Sequence, residues 1–232
     1  MTSERDPSCR AVHIAQALAQ AHGGPDLGNK SDPLDELIYI ALTRRTNQKN
    51  AQRAWHAVSA KYSPWDVLLR APEADIASTI ACGGLSLQKA RWIKQALQHI
   101  KEVCGSLSLE FLRELGDAEA ERYLCGLPGI NTKSAKCILM YSLRRQVLPV
   151  DTHVRRVSER LGLLELGLSS RPMHQQPEAV VPPAWRHAYH VNIVVHGRQI
   201  CTALKPKCGL CVVASLCKEH TGLPQPHGDV RD

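Results

Sequence analysis

The chain has 232 residues, enough to bury a sizeable core in one large domain or two modest ones. Lys and Arg number 29 against 22 Asp and Glu, and the formal net charge of +7 predicts a polyanionic partner, either nucleic acid or an acidic membrane surface. The N-terminal segment MTSERDPSCRAV lacks the apolar stretch of a secretory signal, and no apolar run approaches the length that spans a bilayer. We therefore expect a soluble intracellular protein.

Apolar residues recur mostly at the spacing of an α-helix. In DPLDELIYIALTRRT the repeat is carried by Leu34, Leu37, Ile38, Ala41 and Leu42. Asp32 stands directly before this run, as an N-cap does. In LSLQKARWIKQALQHIKEVCG the stripe is formed by Ile93, Leu97 and Ile100, and Gly105 is expected to end the helix.

Shorter helices are predicted in SLEFLREL, DAEAERYLCGL, TKSAKCILMYSL and THVRRVSERLG. Alternating β-branched runs are nearly absent, so the predicted fold class is all-α. Two segments read as loops: residues 22–33, and residues 165–183, which are rich in Pro and Ser and show no clear apolar period.

The segment LCGLPGINTKSAK predicts two helices joined by a hairpin. Gly129 can adopt a positive φ, and Asn131 is a residue that tolerates the left-handed region, so the hairpin could turn its amides outward. Outward N–H groups beside a helix N-terminus bind phosphate without reading sequence. Lys133 falls in the first turn of the second helix, where a cation is disfavoured. Pro-Gly also joins many ordinary helices, so the turn alone leaves both interpretations open.

The nine cysteines of an intracellular chain are expected to be thiols or metal ligands rather than disulfides. Four of them crowd near the C-terminus, with six, two and five residues between them: Cys201, Cys208, Cys211 and Cys217. Four thiolates on a short loop can surround one metal centre. By spacing alone an iron–sulfur cluster and zinc remain comparably plausible, although structural zinc usually uses two close pairs and this segment has one.

Three motifs in order give the chain a family resemblance. LPGINTKSA is followed at the expected separation by VDTH, Val150 to His153, and then by HGRQIC with the C-x6-C-x2-C-x5-C spacing. Over about residues 30–217 the chain resembles the endonuclease III branch of the helix-hairpin-helix DNA glycosylases. The resemblance implies a six-helix barrel over residues 32–146, an iron–sulfur domain formed by residues 1–31 and 147–232, and a [4Fe-4S] cluster on the four clustered cysteines.

The same resemblance implies the catalytic residues. Lys133 would attack C1′ of a damaged nucleotide as a neutral amine, expel the base and leave a Schiff base, after which β-elimination nicks the strand. Asp151 would stabilise positive charge on the sugar or assist deprotonation of the amine, and it also suits an N-cap. Lys136, one turn after Lys133, is expected to be a solvated phosphate contact. Gly129 and Asn131 form the predicted phosphate grip, with Asn131 standing where the family usually has glycine.

Further DNA contacts follow by position. Leu85 matches the family's wedge leucine, and Arg45 falls where endonuclease III has a glutamine that fills the vacated stack. Within L-x-R-R-T, that arginine looks more like glycosylases that remove uracil or thymine from mismatches with guanine. Lys205 and Lys207 lie in the first cysteine loop and are expected to face the DNA backbone. The 165–183 loop replaces an amphipathic helix of endonuclease III.

The expected function is a bifunctional DNA glycosylase and abasic-site lyase that removes oxidised pyrimidines from duplex DNA, in a cleft between the domains. We expect a monomer in the cytoplasm, associated with the nucleoid. The first alternative is a uracil or thymine mismatch glycosylase, although such relatives typically lack the lysine. An adenine glycosylase is disfavoured because the chain leaves no room for that group's extra domain. The alternative from another class is a non-catalytic DNA-binding module with structural zinc.

Overall fold

The computed structural model describes residues 6–222, and none of these residues lies in a β-strand, so the predicted all-α fold class is confirmed. Two compact units divide the chain: a central unit, Leu27–Arg145, and a split unit formed by Met1–Asp26 together with Gln146–Asp232. Residues 1–5 and 223–232, which the sequence assigns to the iron–sulfur domain, lie outside the described residues. Among the described helices, none combines the length and the apolar character that a membrane crossing needs.

Twelve α-helices occur in the described part of the chain. They are α1 (Pro7–His22), α2 (Pro33–Thr43), α3 (Gln48–Tyr62), α4 (Trp65–Arg70), α5 (Glu73–Thr79), α6 (Ser86–Cys104), α7 (Asp117–Cys125), α8 (Thr132–Tyr141), α9 (Thr152–Leu161), α10 (Ser170–Val180), α11 (Arg186–Gln199) and α12 (Lys218–Thr221). Short 3-10 helices include Ala81–Gly83 and Glu110–Glu114. The second of these replaces the α-helix predicted in SLEFLREL.

Helix α2 forms the core of the central unit, where it packs against α3, α6 and α8. Its predicted N-cap is confirmed, because Asp32 accepts hydrogen bonds from the N–H groups of Leu34 and Asp35, both at 2.9 Å. The helix is apolar around most of its circumference, as a helix enclosed by others must be. On α6 the predicted stripe is buried, and Gly105 ends the helix with φ of +73°.

In the split unit, α11 packs against both α1 and α9. Helix α1 buries one aliphatic face, which includes Ile14 and Leu18, and α9 buries Val154 and Val157. This packing holds the N-terminus of α9 and the cysteine segment that follows α11 within one unit.

The prediction of a loop over residues 165–183 is wrong, because Ser170–Val180 forms α10. Its buried positions include His174 and Pro177 rather than aliphatic residues, so the helical period is absent from the apolar pattern. Pro177 also lacks the N–H of an interior helix position. The helix is fastened by its polar side chains: the Glu178 carboxylate accepts from the Leu148 N–H at 2.6 Å, and the Gln176 amide oxygen accepts from the Glu165 N–H at 2.8 Å.

Candidate active site and nucleic-acid interface

The predicted hairpin is present in the central unit, between α7 and α8. The Ile130 N–H donates to the Leu127 carbonyl at 3.1 Å, and Gly129 has φ of +78°, the pattern of a type II turn with Pro128 at its first central position. A Cβ on Gly129 would lie 2.8 Å from Cγ of Trp92. Glycine is therefore required here both by the backbone and by the indole packed against it.

Asn131 does not adopt the left-handed conformation that was predicted as an option for it. Its φ of −113° and ψ of 174° are extended, and its Oδ1 accepts from the Ser134 N–H at 2.9 Å, which makes it the N-cap of α8. An asparagine at this position therefore serves the helix start, because a capping oxygen satisfies one of the unpaired N–H groups.

Lys133 is the second residue of α8 and is half-buried, in the same unit as the buried carboxylate of Glu36. Glu36 is 0% exposed and accepts from the Lys30 N–H at 2.6 Å and from Nδ2 of Asn29. Burial raises the pKa of Glu36 to about 7, while those two hydrogen bonds and the positive charge of Lys133 oppose the rise. The two groups therefore share an electrostatic environment. Glu36 was missed by sequence reasoning; its signal was an acidic residue directly before the apolar run 37–42 of α2.

Lys136 is not the solvated lysine that was predicted, since it is 4% exposed. Its positive charge reaches Cys125, where it opposes the rise in the thiol pKa that burial causes. Although Lys136 lies three residues after Lys133 on α8, Lys136 is buried, whereas Lys133 is half-buried. Any phosphate contact by this residue would require it to leave the interior.

Arg45 and Leu85, the predicted DNA-inserting residues, share an unusual backbone. Both are exposed and both have positive φ, +48° for Arg45 and +50° for Leu85, where L-residues other than Asn and Asp are uncommon. Leu85 is 45% exposed and follows Gly84, whose φ is +67°. Such conformations cluster at ligand-binding and active sites, where surrounding contacts maintain them.

Arg44, which sequence reasoning did not single out, connects the turn after α2 with the hairpin. Its Nη1 donates to the Gly129 carbonyl, and its guanidinium lies 4.3 Å from the centroid of the Trp92 ring. A cation over an indole face is a favourable contact. Of these two neighbouring arginines, Arg44 packs against Trp92 and the hairpin, and Arg45 is exposed.

In the split unit, Asp151 has the predicted N-cap role. One carboxylate oxygen, Oδ1, accepts from the N–H groups of His153 at 2.9 Å and Val154 at 2.8 Å at the start of α9. Burial lowers the pKa of His153, and the charge of Asp151 opposes that change. These contacts fix the orientation of the carboxylate, and its catalytic role stays a prediction.

The four clustered cysteines, Cys201, Cys208, Cys211 and Cys217, line one cavity of about 150 Å³. All four are free thiols. No group of three or more His, Cys, Asp or Glu residues within the described ranges is arranged to hold a single metal ion. Four sulfur donors around one cavity fit an iron–sulfur cluster, which is held by four cysteine thiolates.

Arginine and histidine side chains support this cysteine loop. Arg160 donates to the Thr202 carbonyl at 2.8 Å, and its Nη1 lies 3.4 Å from Sγ of Cys201. Nε2 of His196 lies 3.4 Å from Sγ of Cys211. Further donors to the loop and its surroundings are Arg10, to the Leu216 carbonyl at 2.8 Å, and Arg156, to the Cys201 carbonyl at 2.9 Å. Such outer contacts orient ligands. Of these side chains only His196 lies in the HGRQIC motif, and the arginines were not predicted from the sequence.

Lys205 and Lys207 are exposed, as predicted for residues that face a polyanion. The loop that carries them is held by its backbone: the Lys207 N–H donates to the Ile200 carbonyl at 2.9 Å, and Oγ1 of Thr202 donates to the Lys205 carbonyl at 2.7 Å. Their contact with DNA stays a prediction.

Comparison with protein families and known structures agrees with these features. Residues 38–183 match the model of the HhH-GPD superfamily of base excision DNA repair proteins. Residues 201–217 match the iron–sulfur binding domain of endonuclease III. The cofactor is therefore a [4Fe-4S] cluster, as predicted, and the zinc alternative is wrong.

Individual relatives are similar at lower identity. A putative DNA glycosylase of Arabidopsis thaliana is 32% identical over 74% of this chain, which spans 58% of that relative's length. Endonuclease III of Synechocystis is 28% identical over 90% of this chain and 91% of its own. A solved structure of a trapped endonuclease III–DNA covalent intermediate superimposes with a TM-score of 0.77 at 22% identity, covering 91% of this chain and 95% of that one. This likeness confirms the predicted fold.

Proposed function

We propose, since the chain belongs to the HhH-GPD superfamily of base excision DNA repair proteins, that it is a DNA glycosylase with abasic-site lyase activity that removes oxidised pyrimidines from duplex DNA. The observation that carries the proposal is the position of Lys133, on the first turn of α8 directly after the hairpin. A glycosylase that also cleaves the strand needs an amine at the sugar, and this residue supplies one.

The chemistry begins with the neutral amine. The positive end of α8 disfavours the ammonium form of Lys133, and the side chain acts as a nucleophile once it has lost its proton. Nitrogen forms a bond to C1′ of the nucleotide while the N-glycosidic bond breaks, and the base leaves with the electron pair and takes up a proton. Loss of a proton from nitrogen and ring opening give the Schiff base. Removal of a C2′ proton then expels the 3′ phosphate by β-elimination, and hydrolysis releases the lysine.

Asp151 is the proposed partner in this step. Departure of the base builds positive charge on the sugar, and a fixed carboxylate stabilises that charge or accepts the proton of the attacking amine. The N-cap hydrogen bonds to Oδ1 fix the carboxylate on the start of α9. Asp151→Asn keeps an oxygen able to cap the helix while it removes the negative charge, so it separates the two roles.

The remaining predicted residues, apart from the buried Lys136, are proposed to hold damaged duplex DNA. The hairpin at Gly129 and Asn131 would bind backbone phosphate, while Leu85 and Arg45 would occupy the space that an extruded nucleotide leaves. Cys201, Cys208, Cys211 and Cys217 would hold the cluster, which would tie down the loop that carries Lys205 and Lys207 and would supply no hydrolytic chemistry. We further propose that the protein acts as a monomer in the cytoplasm, at the nucleoid.

Borohydride trapping tests the proposal. The substrates are oligonucleotide duplexes that carry thymine glycol, uracil opposite guanine, thymine opposite guanine, or a plain abasic site. Each is incubated with the protein and borohydride, and a covalent adduct is sought by denaturing electrophoresis. We expect trapping on thymine glycol and abasic duplexes, and none with Lys133→Met. Absence of any adduct from the wild-type protein would exclude the lyase.

The chain offers a matched control for the lysine substitution. Lys49 is the second residue of α3, as Lys133 is of α8, and both helices are capped by asparagine: Asn47 accepts from the Asn50 N–H at 2.9 Å. Lys49 is exposed. Lys49→Met should therefore remove a cation from an equivalent helix position and leave trapping unchanged.

A second candidate activity is favoured by Arg45, whose L-x-R-R-T context resembles glycosylases that act on uracil or thymine mismatched with guanine. That activity predicts base release from the two guanine mismatches without a trapped adduct. The lesion panel distinguishes the two, because excision is measured on the same duplexes by alkali cleavage after the reaction.

A further inference from the structure

Lys89 is a buried lysine on α6 with two main-chain partners. It is 0% exposed, and its Nζ donates to the carbonyls of Leu42 and Gly83, both at 2.8 Å. Leu42 lies in the last turn of α2, and Gly83 ends the 3-10 helix Ala81–Gly83. A buried ammonium is costly unless it is hydrogen-bonded, so this side chain is held where the two segments meet.

Each of these carbonyls comes shortly before a residue with left-handed backbone. Arg45 lies three residues after Leu42, and Leu85 lies two residues after Gly83. The backbone N–H of Lys89 also donates to the Leu85 carbonyl at 2.9 Å. Lys89 therefore donates hydrogen bonds to the Leu85 turn from its side chain and from its main chain. Its side chain also donates to the segment that leads into the Arg45 turn.

Both turns need such support because left-handed backbone is unfavourable for arginine and leucine. A residue in this region persists only where its surroundings determine it. The turns are exposed at their tips and anchored at their bases, as loops are that must meet a ligand in one conformation. The buried hydrogen bonds of Lys89 supply that anchor.

The hairpin is joined to the same assembly through Arg44. Its guanidinium packs on Trp92 of α6, and its Nη1 donates to the Gly129 carbonyl. Burial, followed by the charge of Arg44, lowers the pKa of Lys89 to about 8, so the ammonium is present at neutral pH. Two cations thus link three turns of the central unit, those of Arg45, Leu85 and Gly129.

We propose that Lys89 is a positioning residue that sets the Leu85 and Arg45 turns as one rigid unit for insertion into duplex DNA, an inference that rests on the proposed function. A lysine that merely stabilised the fold would lower the amount of active protein on every substrate equally. A positioning lysine instead affects the steps in which the two turns enter the duplex.

The test uses one abasic oligonucleotide in two forms, single-stranded and annealed to a complement with 2-aminopurine opposite the abasic site. Single-turnover cleavage of each form is measured for the wild-type protein and Lys89→Met, which keeps the length of the side chain but loses its donors. We expect duplex cleavage to fall about tenfold to a hundredfold, the range that misplacement by about an ångström produces. Single-stranded cleavage should change by less than about twofold, and the 2-aminopurine fluorescence increase on binding should be lost.

Lys94→Met is the matched control, because Lys94 is a half-buried lysine of the same helix whose Nζ donates to the Ala71 carbonyl at 2.6 Å, away from the turns. It should leave the ratio of duplex to single-stranded cleavage unchanged. Leu85→Ala should lower that ratio, and combining it with Lys89→Met should lower it little further, because residues that act as a unit are not additive.

Equal losses on both DNA forms in Lys89→Met, or the same loss in Lys94→Met, would overturn the inference. So would unaltered duplex cleavage. If Lys89→Met does not fold, Lys89→Gln is measured in its place with the same expectations, because its uncharged amide is one bond too short to occupy the position of Nζ between the two carbonyls. Failure of the wild-type protein to cleave either form would instead refute the proposed lyase, and with it the inference.

Discussion

Glu36 gives the protein a specific dependence of stability on pH. Its carboxyl is fully buried on α2, and burial raises its pKa from an ordinary 4.5 to about 7. Between these two pH values the folded protein keeps the proton while the unfolded chain has released it. The free energy of unfolding therefore falls as pH rises through this window, and it is constant with respect to this group above pH 7.

The magnitude follows from the width of the window. The rise spans about 2.5 pH units, and each unit corresponds to about 1.4 kcal/mol, so ionisation of Glu36 costs about 3 kcal/mol of stability across the window. Glu36→Gln has no proton to lose and lacks this contribution. The loss of an acceptor for the Lys30 N–H or Asn29 amide adds a destabilisation that does not vary with pH.

The measurement is urea unfolding of the wild-type protein and Glu36→Gln at several pH values from 5 to 8. The difference in the free energy of unfolding should shift in favour of the variant by about 2 to 3 kcal/mol over this range. Glu119→Gln, at an exposed position of α7, should show no such shift. A difference between wild type and Glu36→Gln that is flat with pH would refute the assignment of a buried, titrating carboxyl.

The same curves report on Lys133, because its positive charge is among the influences that hold the pKa of Glu36 down. Lys133→Met should raise the upper end of the window, which the folded-state pKa of Glu36 sets, and leave its lower end in place. An unmoved window would show that no charge at position 133 acts on this carboxyl.

Three further substitutions have expected outcomes. Gly129→Ala should destabilise the protein by about 2 to 4 kcal/mol, because it combines a positive φ with a Cβ 2.8 Å from Trp92, whereas Gly116→Ala, with nothing within 4 Å, should be nearly neutral in thermal unfolding. Cys208→Ser should lose iron and visible absorption, as measured by elemental analysis and spectroscopy. Arg160→Met should release iron to a chelator about tenfold faster than wild type, because it loses the hydrogen bond that holds the cysteine loop; an unchanged release rate would argue against that support.

Sequence patterns were sufficient wherever one local interaction decides the structure. The Asp32 cap, the Gly105 terminator and the positive φ at Gly129 each depend on a few neighbouring residues, and each occurs as predicted. The cysteine spacing by itself left zinc and an iron–sulfur cluster open, and the cofactor was predicted only through the family resemblance of that short segment. These features transfer from sequence to structure without knowledge of the rest of the chain.

Features that depend on distant partners were not predictable. Buried Lys89 donates from Nζ to the carbonyls of Leu42 and Gly83, which the fold brings together. No pattern near Lys89 in the sequence predicts these acceptors. Lys136 was expected in solvent because its type favours the surface, yet it lies in the interior. Helix α10 escaped detection because its buried positions include His174 and Pro177, which the apolar pattern does not count.

The two lysines at equivalent helix positions show where local reasoning about the active site ends. NQK at the start of α3 and NTK at the start of α8 place an asparagine cap and a lysine identically, so the helix dipole acts on Lys49 and Lys133 alike. The dipole therefore cannot by itself distinguish a nucleophile from a surface cation. What differs is tertiary: Lys49 is exposed, whereas Lys133 is half-buried, follows the hairpin and acts on the buried carboxyl of Glu36. If Lys49→Met and Lys133→Met lowered trapping equally, the surroundings of position 133 would have no special part in the chemistry.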